Sequence, residues 1–310
     1  MRPVRDALLM LSRSGGVKRL VSTLPLSSAI VRSYVPGETV REALAAVEEL
    51  AAQGIDTTID HLGEDTVEEA QATAVVQAYR VLLDKIADQG LGARAEVSVK
   101  LTAIGLLLVD GEKVALENAR KICRAAHSAG TTVTIDMEDH TTTDATLEIV
   151  QALRQEFPDT GAVLQAYLHR TESDCRALAY TGSRVRLCKG AYDEPSEVAF
   201  TDPGDVDRSY VRCMKVLLDG DGYPMLATHD PRLIEIAGAL ASRYGRAPGT
   251  YEYQMLYGIR PAEQRRLAAA GERVRVYLPY GEEWYGYLMR RLAERPQNLS
   301  LFLTSLVRKG

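Results

Sequence analysis

Eight short runs rich in β-branched and aromatic residues alternate with longer helical stretches along this chain. The runs are 57–61, 96–101, 132–136, 162–167, 184–189, 224–229, 250–256 and 273–278. Between the first two, Val67, Ala70, Ala74 and Tyr79 recur with a period near that of an α-helix. Strands separated by amphipathic helices are typical of parallel sheets. We therefore predict an α/β fold, a (β/α)₈ TIM-type barrel; the alternative, an open doubly wound sheet, usually has fewer such units.

The segment before the first run predicts two helices, 3–30 and 38–53, separated by a break at 34–37 that contains Pro36 and Gly37. We expect these helices to pack outside the barrel or to close one end of it. The predicted organisation is an N-terminal helical extension, 1–54, and a barrel, 55–310. Since no internal repeat or long linker divides the chain, we expect one domain overall.

Composition excludes several classes of protein. With 310 residues, 46% of them hydrophobic, the chain can bury a large core. A formal net charge of -5 argues against a nucleic-acid partner, because phosphate backbones attract clustered Lys and Arg. The apolar run 7–11 is too short to cross a bilayer or to act as an export signal, and the four cysteines are far apart. We expect a cytoplasmic protein with reduced thiols.

Known metal and nucleotide motifs are missing from the sequence. It contains no CxxC or HExxH spacing, so we expect no metal site. It also contains no GxGxxG or Walker-type phosphate loop, which argues against a doubly wound nicotinamide domain. A dinucleotide would have to be held by side chains such as Arg186, Lys189 and His229, together with the backbone at Gly190.

Polar residues fall where the predicted strands end. In a (β/α)₈ barrel these ends share one mouth, where catalytic groups lie. The polar residues at or near these ends are Lys100, Asp136, Gln165, Arg186, Lys189, Thr228, His229 and Tyr277. This clustering predicts an active site at the mouth.

The stretch 284–295 is helical in composition and carries Tyr287, Arg290, Arg291 and Glu294 at spacings of three or four residues. A guanidinium group can pair with both oxygens of a carboxylate, and two of them fix its orientation. This pattern favours a small carboxylate substrate. The alternative is that both arginines cap the helix or form surface ion pairs.

Two lysines and a histidine at strand ends allow alternative roles. Lys100 and Asp136 would lie on neighbouring strands, where they could form a plain ion pair or a catalytic one. Lys100 or Lys189 could instead form a Schiff base in a cofactor-free lyase or aldolase. His229 could be a neutral, hydrogen-bonded structural residue.

Seven motifs, nearly one per strand, resemble the proline dehydrogenase family. They are VSVKLT at 97–102, IDME at 135–138, LQAY at 164–167, RLCKGAY at 186–192, ATHD at 227–230, YEYQMLYG at 251–258 and YLMRRLAE at 287–294. The similarity runs in family order from about residue 55 to residue 298, and the last motif is the most specific. The resemblance implies a distorted (β/α)₈ barrel. It also implies a monofunctional enzyme, without the DNA-binding and aldehyde dehydrogenase domains of bifunctional members.

The implied reaction is FAD-dependent oxidation of L-proline to Δ1-pyrroline-5-carboxylate, the first step of proline catabolism to glutamate. Hydride would pass from proline C5 to flavin N5, and the electrons then to a quinone. A separate pyrroline-5-carboxylate dehydrogenase would take the product. The family also implies peripheral contact with the inner face of the cell membrane. Hydroxyproline oxidation on the same fold and a non-catalytic acid-binding barrel are the remaining alternatives, and Tyr277 favours proline over hydroxyproline by crowding ring C4.

The resemblance also implies roles for individual residues. Asp136 and Arg186 are implied catalytic residues, with Arg186 near the N5 side of the flavin. Glu294 is implied to orient the arginines and to form a gate with them. The implied proline ligands are Lys100, Leu256, Tyr277, Tyr287, Arg290 and Arg291. The implied FAD ligands are the Met137 backbone, Gln165, Arg186, Lys189, Gly190, Ala191, Tyr192, Thr228 and His229. The tract 193–200 departs from the bifunctional pattern, so the FAD adenosine contacts are not carried over.

Overall fold

The structure is a computed structural model that describes residues 31–63 and 66–294, with the backbone alone for 290–294. Its strands are β1 (Asp56–His61), β2 (Ala95–Val99), β3 (Val133–Ile135), β4 (Gly161–Gln165), β5 (Arg184–Cys188), β6 (Tyr223–Ala227), β7 (Glu252–Leu256) and β8 (Val274–Tyr280). Its helices are α1 (Val40–Ala51), α2 (Glu69–Asp88), α3 (Gly111–Ser128), α4 (Thr143–Arg154), α5 (Thr171–Leu178), α6 (Pro203–Asp219), α7 (Pro231–Arg243), α8 (Pro261–Ala269) and α9 (Trp284–Glu294). Every predicted strand is present, with ends that differ by a few residues at most.

The eight strands form one closed parallel barrel in chain order. Closure is made by β8 and β1, which pair in parallel from Asp56 opposite Arg275 to His61 opposite Tyr280. The predicted (β/α)₈ barrel is therefore confirmed. The open doubly wound sheet is wrong, because such a sheet leaves its first and last strands unpaired with each other.

Helix starts follow local sequence signals. Thr39 accepts a hydrogen bond from Glu42 N at 3.3 Å, and the Glu42 carboxylate accepts one from Thr39 N at 3.0 Å, a capping box that starts α1. Helices α6 and α7 each begin with a proline that follows a capping aspartate, Asp202 or Asp230. Asp230 lies three residues after the end of β6, so its cap also fixes a polar residue near the mouth of the barrel.

Alternate strand residues face two different environments. Outward residues such as Val97, Ile135 and Leu164 are buried in one hydrophobic cluster with helix residues such as Leu82 and Ile122. Many inward positions are polar or charged. Some of their hydrogen bonds join neighbouring strands, and others, such as those of Arg184 and Arg186 on β5 with Glu96 and Ser98 on β2, cross the barrel. Hydrophobic burial therefore holds the helices to the sheet, while polar contacts fill the barrel interior.

A second hydrophobic cluster holds the start of α9. Trp284, Tyr285 and Leu288 pack with Tyr34 and Val35, from the segment before α1. The Trp284 indole also donates a hydrogen bond of 2.6 Å to Glu38 Oε1. The predicted helix 38–53 is observed as α1. The predicted helix 3–30 lies outside the described residues, and the domain division at residue 55 stays a prediction.

Candidate active site

Side chains from five strands or strand ends meet at the mouth of the barrel. Asp60 lies near the end of β1, Lys100 follows β2, Asp136 follows β3, Arg186 lies on β5 and Tyr277 lies on β8. We call these five residues the mouth cluster. Hydrogen bonds and ion pairs of 2.7 to 4.0 Å connect them. The structure thus brings together four of the residues that the sequence assigned to the mouth, and adds Asp60.

Asp136 is the centre of the mouth cluster. Its Oδ1 accepts hydrogen bonds from Ser98 Oγ at 2.7 Å and from Arg186 Nη1 at 2.7 Å. Its Oδ2 accepts one from the Tyr277 hydroxyl at 2.8 Å. Burial, with the negative charge of Asp136 next in importance, raises the pKa of Tyr277 well above its usual value. Tyr277 therefore remains a neutral hydrogen-bond donor, held in one orientation.

Lys100 pairs more closely with Asp60 than with its expected partner. Its Nζ lies 2.7 Å from Asp60 Oδ2 and 4.0 Å from Asp136 Oδ2. Burial disfavours the charged ammonium, but the two carboxylates outweigh burial, and the pKa of Lys100 lies above its usual value. Lys100 is therefore a fixed positive charge at the mouth. Schiff-base chemistry needs a neutral amine, so this environment argues against that role.

Arg186 is buried below the mouth and has one incompletely satisfied nitrogen. Its Nε donates to Gln254 Oε1 at 2.6 Å, and its Nη1 donates to Ser98 Oγ at 3.0 Å as well as to Asp136. Its guanidinium carbon lies 5.4 Å from the centre of the Tyr277 ring. Arg186 Nη2 is buried and has no hydrogen-bond partner among the described residues. Glu96 is its ion-pair partner there, at 3.7 Å.

Gln165, at the end of β4, carries a second unsatisfied atom. The residue is 3% exposed, and its Oε1 accepts no hydrogen bond from any described residue. Leaving such an atom unmet costs about 1 to 3 kcal/mol. An unmet acceptor on Gln165 at this end of the barrel is typical of a site that a polar ligand completes. Arg186 Nη2, in contrast, lies 3.7 Å from the Glu96 carboxylate in the barrel interior.

The loop between β5 and α6 carries the next group of sequence-assigned residues. Gly190 has a φ of +110°, and a Cβ there would lie 2.4 Å from atoms of the Tyr167 ring, so only glycine fits. Lys189 Nζ pairs with Asp207 at 2.5 Å and with Asp230 at 3.5 Å. Ala191 and Tyr192 follow on the exposed side of this loop.

The β6 end places Thr228 and His229 beside β7. Thr228 Oγ1 accepts a hydrogen bond from Asp230 N at 3.2 Å. His229 Nε2 accepts one from Leu256 N at 2.9 Å, which requires this nitrogen to be unprotonated. This hydrogen bond supports the structural interpretation of His229, and its role as a cofactor ligand stays a prediction.

Leu256 and Tyr287 connect β7 with α9. Leu256 is partly buried and packs against the cluster that contains Tyr287, which is 7% exposed. Met137, directly after Asp136, is also buried. The side chains of Arg290, Arg291 and Glu294 lie outside the described residues, so their contacts with a carboxylate or with one another stay predictions.

A second charged layer lies deeper in the barrel. Glu96 on β2 pairs with Arg184 on β5 at 2.5 Å, and Arg275 on β8 pairs with Glu252 on β7 at 2.8 Å. Glu96 and Arg275 are 3.8 Å apart, which joins the two pairs. We call these four residues the floor network. Burial opposes the charge on Glu96, but Arg184 and Arg275 outweigh it and hold the pKa of Glu96 far below its usual value.

Comparison with known proteins identifies the family. The sequence matches the family described as Proline dehydrogenase over residues 43–302. It is 40% identical over 278 residues to Proline dehydrogenase 1 of Bacillus subtilis strain 168, covering 90% of this chain and 91% of that protein. The chain belongs to the proline dehydrogenase family. A similar match, 39% identity over 282 residues, covers 90% of this chain and 90% of the proline dehydrogenase of Deinococcus radiodurans strain R1.

Solved structures give the same fold. Proline utilization A (PutA) from Bdellovibrio bacteriovorus, inactivated by N-propargylglycine, superposes with a TM-score of 0.81 at 25% identity. The match covers 92% of this chain and 34% of that larger protein. The resemblance inferred from motifs is thus confirmed, together with the expected enzyme class, an oxidoreductase of proline catabolism that uses a flavin. Hydroxyproline oxidation and a Schiff-base lyase are not favoured.

The sequence reasoning for this proline dehydrogenase missed three polar residues of the site. Asp60 is the last residue but one of the first predicted strand, so the strand-end rule that found Lys100 and Asp136 applied to it as well. Ser98 and Gln254 lie within strands, at inward positions that strict alternation along β2 and β7 places beside Lys100 and Leu256. The signal for all three was polar residues at alternate positions of a buried strand.

Proposed function

We propose that this proline dehydrogenase oxidises L-proline to Δ1-pyrroline-5-carboxylate with FAD bound at the mouth of the barrel. The observation that carries the proposal is the buried, unmet acceptor Gln165 Oε1, at the end of β4 beside the mouth cluster. The pyrimidine edge of a flavin offers an N–H donor, which is the complement of this acceptor. The residues therefore fit the flavin ring.

FAD rather than a smaller flavin is supported by the polar groups along the neighbouring strand ends. Lys189, Thr228 and His229 lie beyond Gln165 around the mouth and offer a cation, a hydroxyl and an imidazole to a ribityl chain and phosphates. Gly190, Ala191 and Tyr192 bring backbone to the same side, and Met137 contributes backbone after β3. These roles follow from the family motifs together with their grouping around one end of the barrel.

Proline is proposed to bind between the mouth cluster and α9. Lys100 supplies a fixed positive charge for the carboxylate, and Arg290 and Arg291 are the predicted paired ligands. The apolar ring would pack on Leu256, Tyr277 and Tyr287. Because the Tyr277 hydroxyl is held on Asp136 at 2.8 Å, this side chain crowds one face of the site and supports proline over hydroxyproline.

Bound flavin supplies an acceptor at N5 for the hydride that leaves proline C5. The chain's own residues set the geometry for that transfer. Asp136 holds Tyr277 and Arg186 in place, and the fixed carboxylate end of the substrate determines where C5 lies. Hydride can leave only when the nitrogen lone pair is free, so proline must lose its amine proton first. Arg186 is proposed to face the N5 side of the ring.

The later fate of electrons and product is proposed from the family. Electrons would pass to a quinone, which brings the enzyme into peripheral contact with the inner face of the cell membrane. No helix in the described ranges 31–63 and 66–294 is long and apolar enough to span a membrane. The product would go to a separate pyrroline-5-carboxylate dehydrogenase, and Glu294 would gate the site with the paired arginines.

The deciding experiment is an absorbance spectrum of the purified protein before and after anaerobic addition of L-proline. We expect a yellow protein with an absorbance band at about 450 nm, a general property of oxidised flavins. This band should bleach when proline is added. Extraction and chromatography of the pigment then distinguish FAD from FMN. A colourless protein that remains unresponsive after FAD is supplied would contradict the proposal.

A further inference from the structure

One buried carboxylate, Glu194, joins the loops that follow three successive strands. It lies in the loop between β5 and α6, and its side chain is 3% exposed. Its Oε1 accepts hydrogen bonds from His140 N at 2.9 Å and from the Tyr167 hydroxyl at 3.2 Å. Its Oε2 contacts His140 Nδ1. His140 follows β3 and Tyr167 follows β4, so a single side chain connects all three loops.

These contacts lie close in sequence to the residues proposed to hold the flavin. His140 is three residues after Met137, and Tyr167 is two residues after Gln165. The Tyr167 ring also occupies the space that a side chain at Gly190 would need. Glu194 therefore holds the Tyr167 ring at its hydroxyl end, and the face of that ring leaves no room for a side chain at position 190.

We propose that Glu194 is a positioning residue for FAD, fixing the relative placement of the β3, β4 and β5 loops; this inference rests on the proposed function. A carboxylate suits the position because it accepts hydrogen bonds without offering any, and a backbone N–H and a hydroxyl point at it. A glutamine could keep its oxygen on those two donors, but it would lose the negative charge and place an N–H group at His140 Nδ1 in place of Oε2. Charge-assisted hydrogen bonds of this kind are among the stronger ones in proteins.

The loop has a second, independent anchor, so a variant at Glu194 should still fold. Leu168 and Ala199 form an antiparallel bridge, and Phe200 N donates to Tyr167 O at 2.7 Å. His169 N donates to Val198 O at 2.9 Å. These backbone bonds hold the far part of the loop, while Glu194 holds the part nearer Gly190.

The test compares Glu194→Gln with Glu197→Gln, which makes the same change at an exposed residue of the same loop. Each holoenzyme is diluted, and the rise in flavin fluorescence gives the dissociation constant for FAD. For Glu194→Gln we expect a dissociation constant about tenfold higher, the size of one charged hydrogen bond. Glu194→Asp, which keeps the carboxylate, should recover part of this loss, and Glu197→Gln should match the unmodified protein.

Tyr167→Phe provides a milder variant, because it removes one hydrogen bond and keeps the ring over Gly190. We expect its dissociation constant for FAD to rise about threefold. With FAD saturating, the KM for proline should stay within about twofold in both variants, while the visible circular dichroism of the bound flavin changes. These two readouts separate positioning of the flavin from a general loss of stability.

Two outcomes must be distinguished. If Glu194→Gln and Tyr167→Phe lower the melting temperature but bind FAD as tightly as Glu197→Gln, with unchanged flavin circular dichroism, Glu194 is only structural and the inference is overturned. If the unmodified protein itself binds no flavin, the proposed function fails instead.

Discussion

The floor network and the mouth cluster are both buried groups of opposite charges, but they differ in how completely they are satisfied. In the floor, the guanidinium of Arg275 donates to Glu252 at 2.8 Å and to the backbone of Thr57 at 2.9 Å, and Arg184 donates to Glu96 at 2.5 Å. At the mouth, Asp60 Oδ1 and Gln165 Oε1 have no hydrogen-bond partner within the described residues.

This difference separates structure from function. A charged group whose hydrogen bonds are all made inside the protein has nothing left to offer a ligand, so its loss should affect folding first. A buried group with an unmet atom costs stability in the free protein and recovers it when a ligand binds. The comparison therefore predicts that floor variants unfold more easily and that mouth variants lose binding or turnover.

The largest effect is expected in the floor. Glu252→Gln removes the carboxylate nearest to Arg275 and leaves the buried guanidinium with only Asp56 and Glu96, at 3.7 and 3.8 Å. We expect the free energy of unfolding to fall by about 3 to 5 kcal/mol, measured by denaturant titration. Glu117→Gln is the control, since that carboxylate pairs with Arg120 at a half-exposed surface site and should cost less than about 1 kcal/mol. Equal losses in the two variants would remove the distinction between floor and surface.

The next largest effect is expected at the mouth. In Asp136→Asn, Arg186 and Lys100 lose a neighbouring negative charge, while the amide oxygen and nitrogen can still contact Arg186 and Tyr277. We expect kcat/KM for proline to fall about 100-fold, or about 2.7 kcal/mol, with a smaller loss of stability than in Glu252→Gln. Asp144→Asn, at a carboxylate that is 79% exposed, should leave turnover unchanged. If Asp136→Asn mainly unfolds the protein, the mouth cluster is structural.

The sequence predicted the fold almost completely because the barrel depends on local patterns. Strands such as β5 and β7 are short runs bounded by turn residues, and the prolines of α6, α7 and α8 mark their starts. The partners of charged residues were harder to predict. Lys100 was expected to pair with Asp136, yet Asp60 on the other neighbouring strand is nearer, at 2.7 Å against 4.0 Å.

That difference has a geometric cause. A residue at a strand end has a neighbour on each side, and the choice between them depends on side-chain conformations that sequence spacing does not specify. The floor network was missed for a related reason. Glu96, Arg184 and Arg275 lie on β2, β5 and β8, and only closure of the barrel brings these distant strands face to face.

A matched pair of glutamines sharpens the comparison further. Gln254 is satisfied at both ends, accepting from Arg186 Nε at 2.6 Å and donating to Glu252 at 2.6 Å, whereas Gln165 has an unmet Oε1. Gln165→Leu should raise the dissociation constant for FAD about tenfold, about 1.4 kcal/mol, without destabilising the flavin-free protein. Gln254→Leu should destabilise it. Thermal melts with and without FAD measure both effects, and a lower melting temperature for flavin-free Gln165→Leu would count against a ligand partner.

The smallest expected effect is on the pH dependence of turnover. Despite its burial, Lys100 has a pKa raised above the usual lysine value by Asp60 and Asp136. Its contribution to stability is therefore complete at pH values below the pKa of a lysine in the unfolded chain. It is lost only as the pH rises through the still higher pKa of Lys100 in the folded protein. Lys100 does not titrate between about pH 7 and 9. We therefore expect kcat/KM to rise over this range through deprotonation of the proline amine.

Lys100→Met should accordingly lower kcat/KM about tenfold by removing a carboxylate contact, while the slope of log kcat/KM against pH stays the same as in the unmodified protein. The measurement is a pair of pH profiles with proline as the varied substrate. A flattened profile in the variant would mean that Lys100 itself loses a proton during turnover. The ion pair with Asp60 would then be too weak to keep it charged, and Lys100 would be a proton-transfer group rather than a fixed charge.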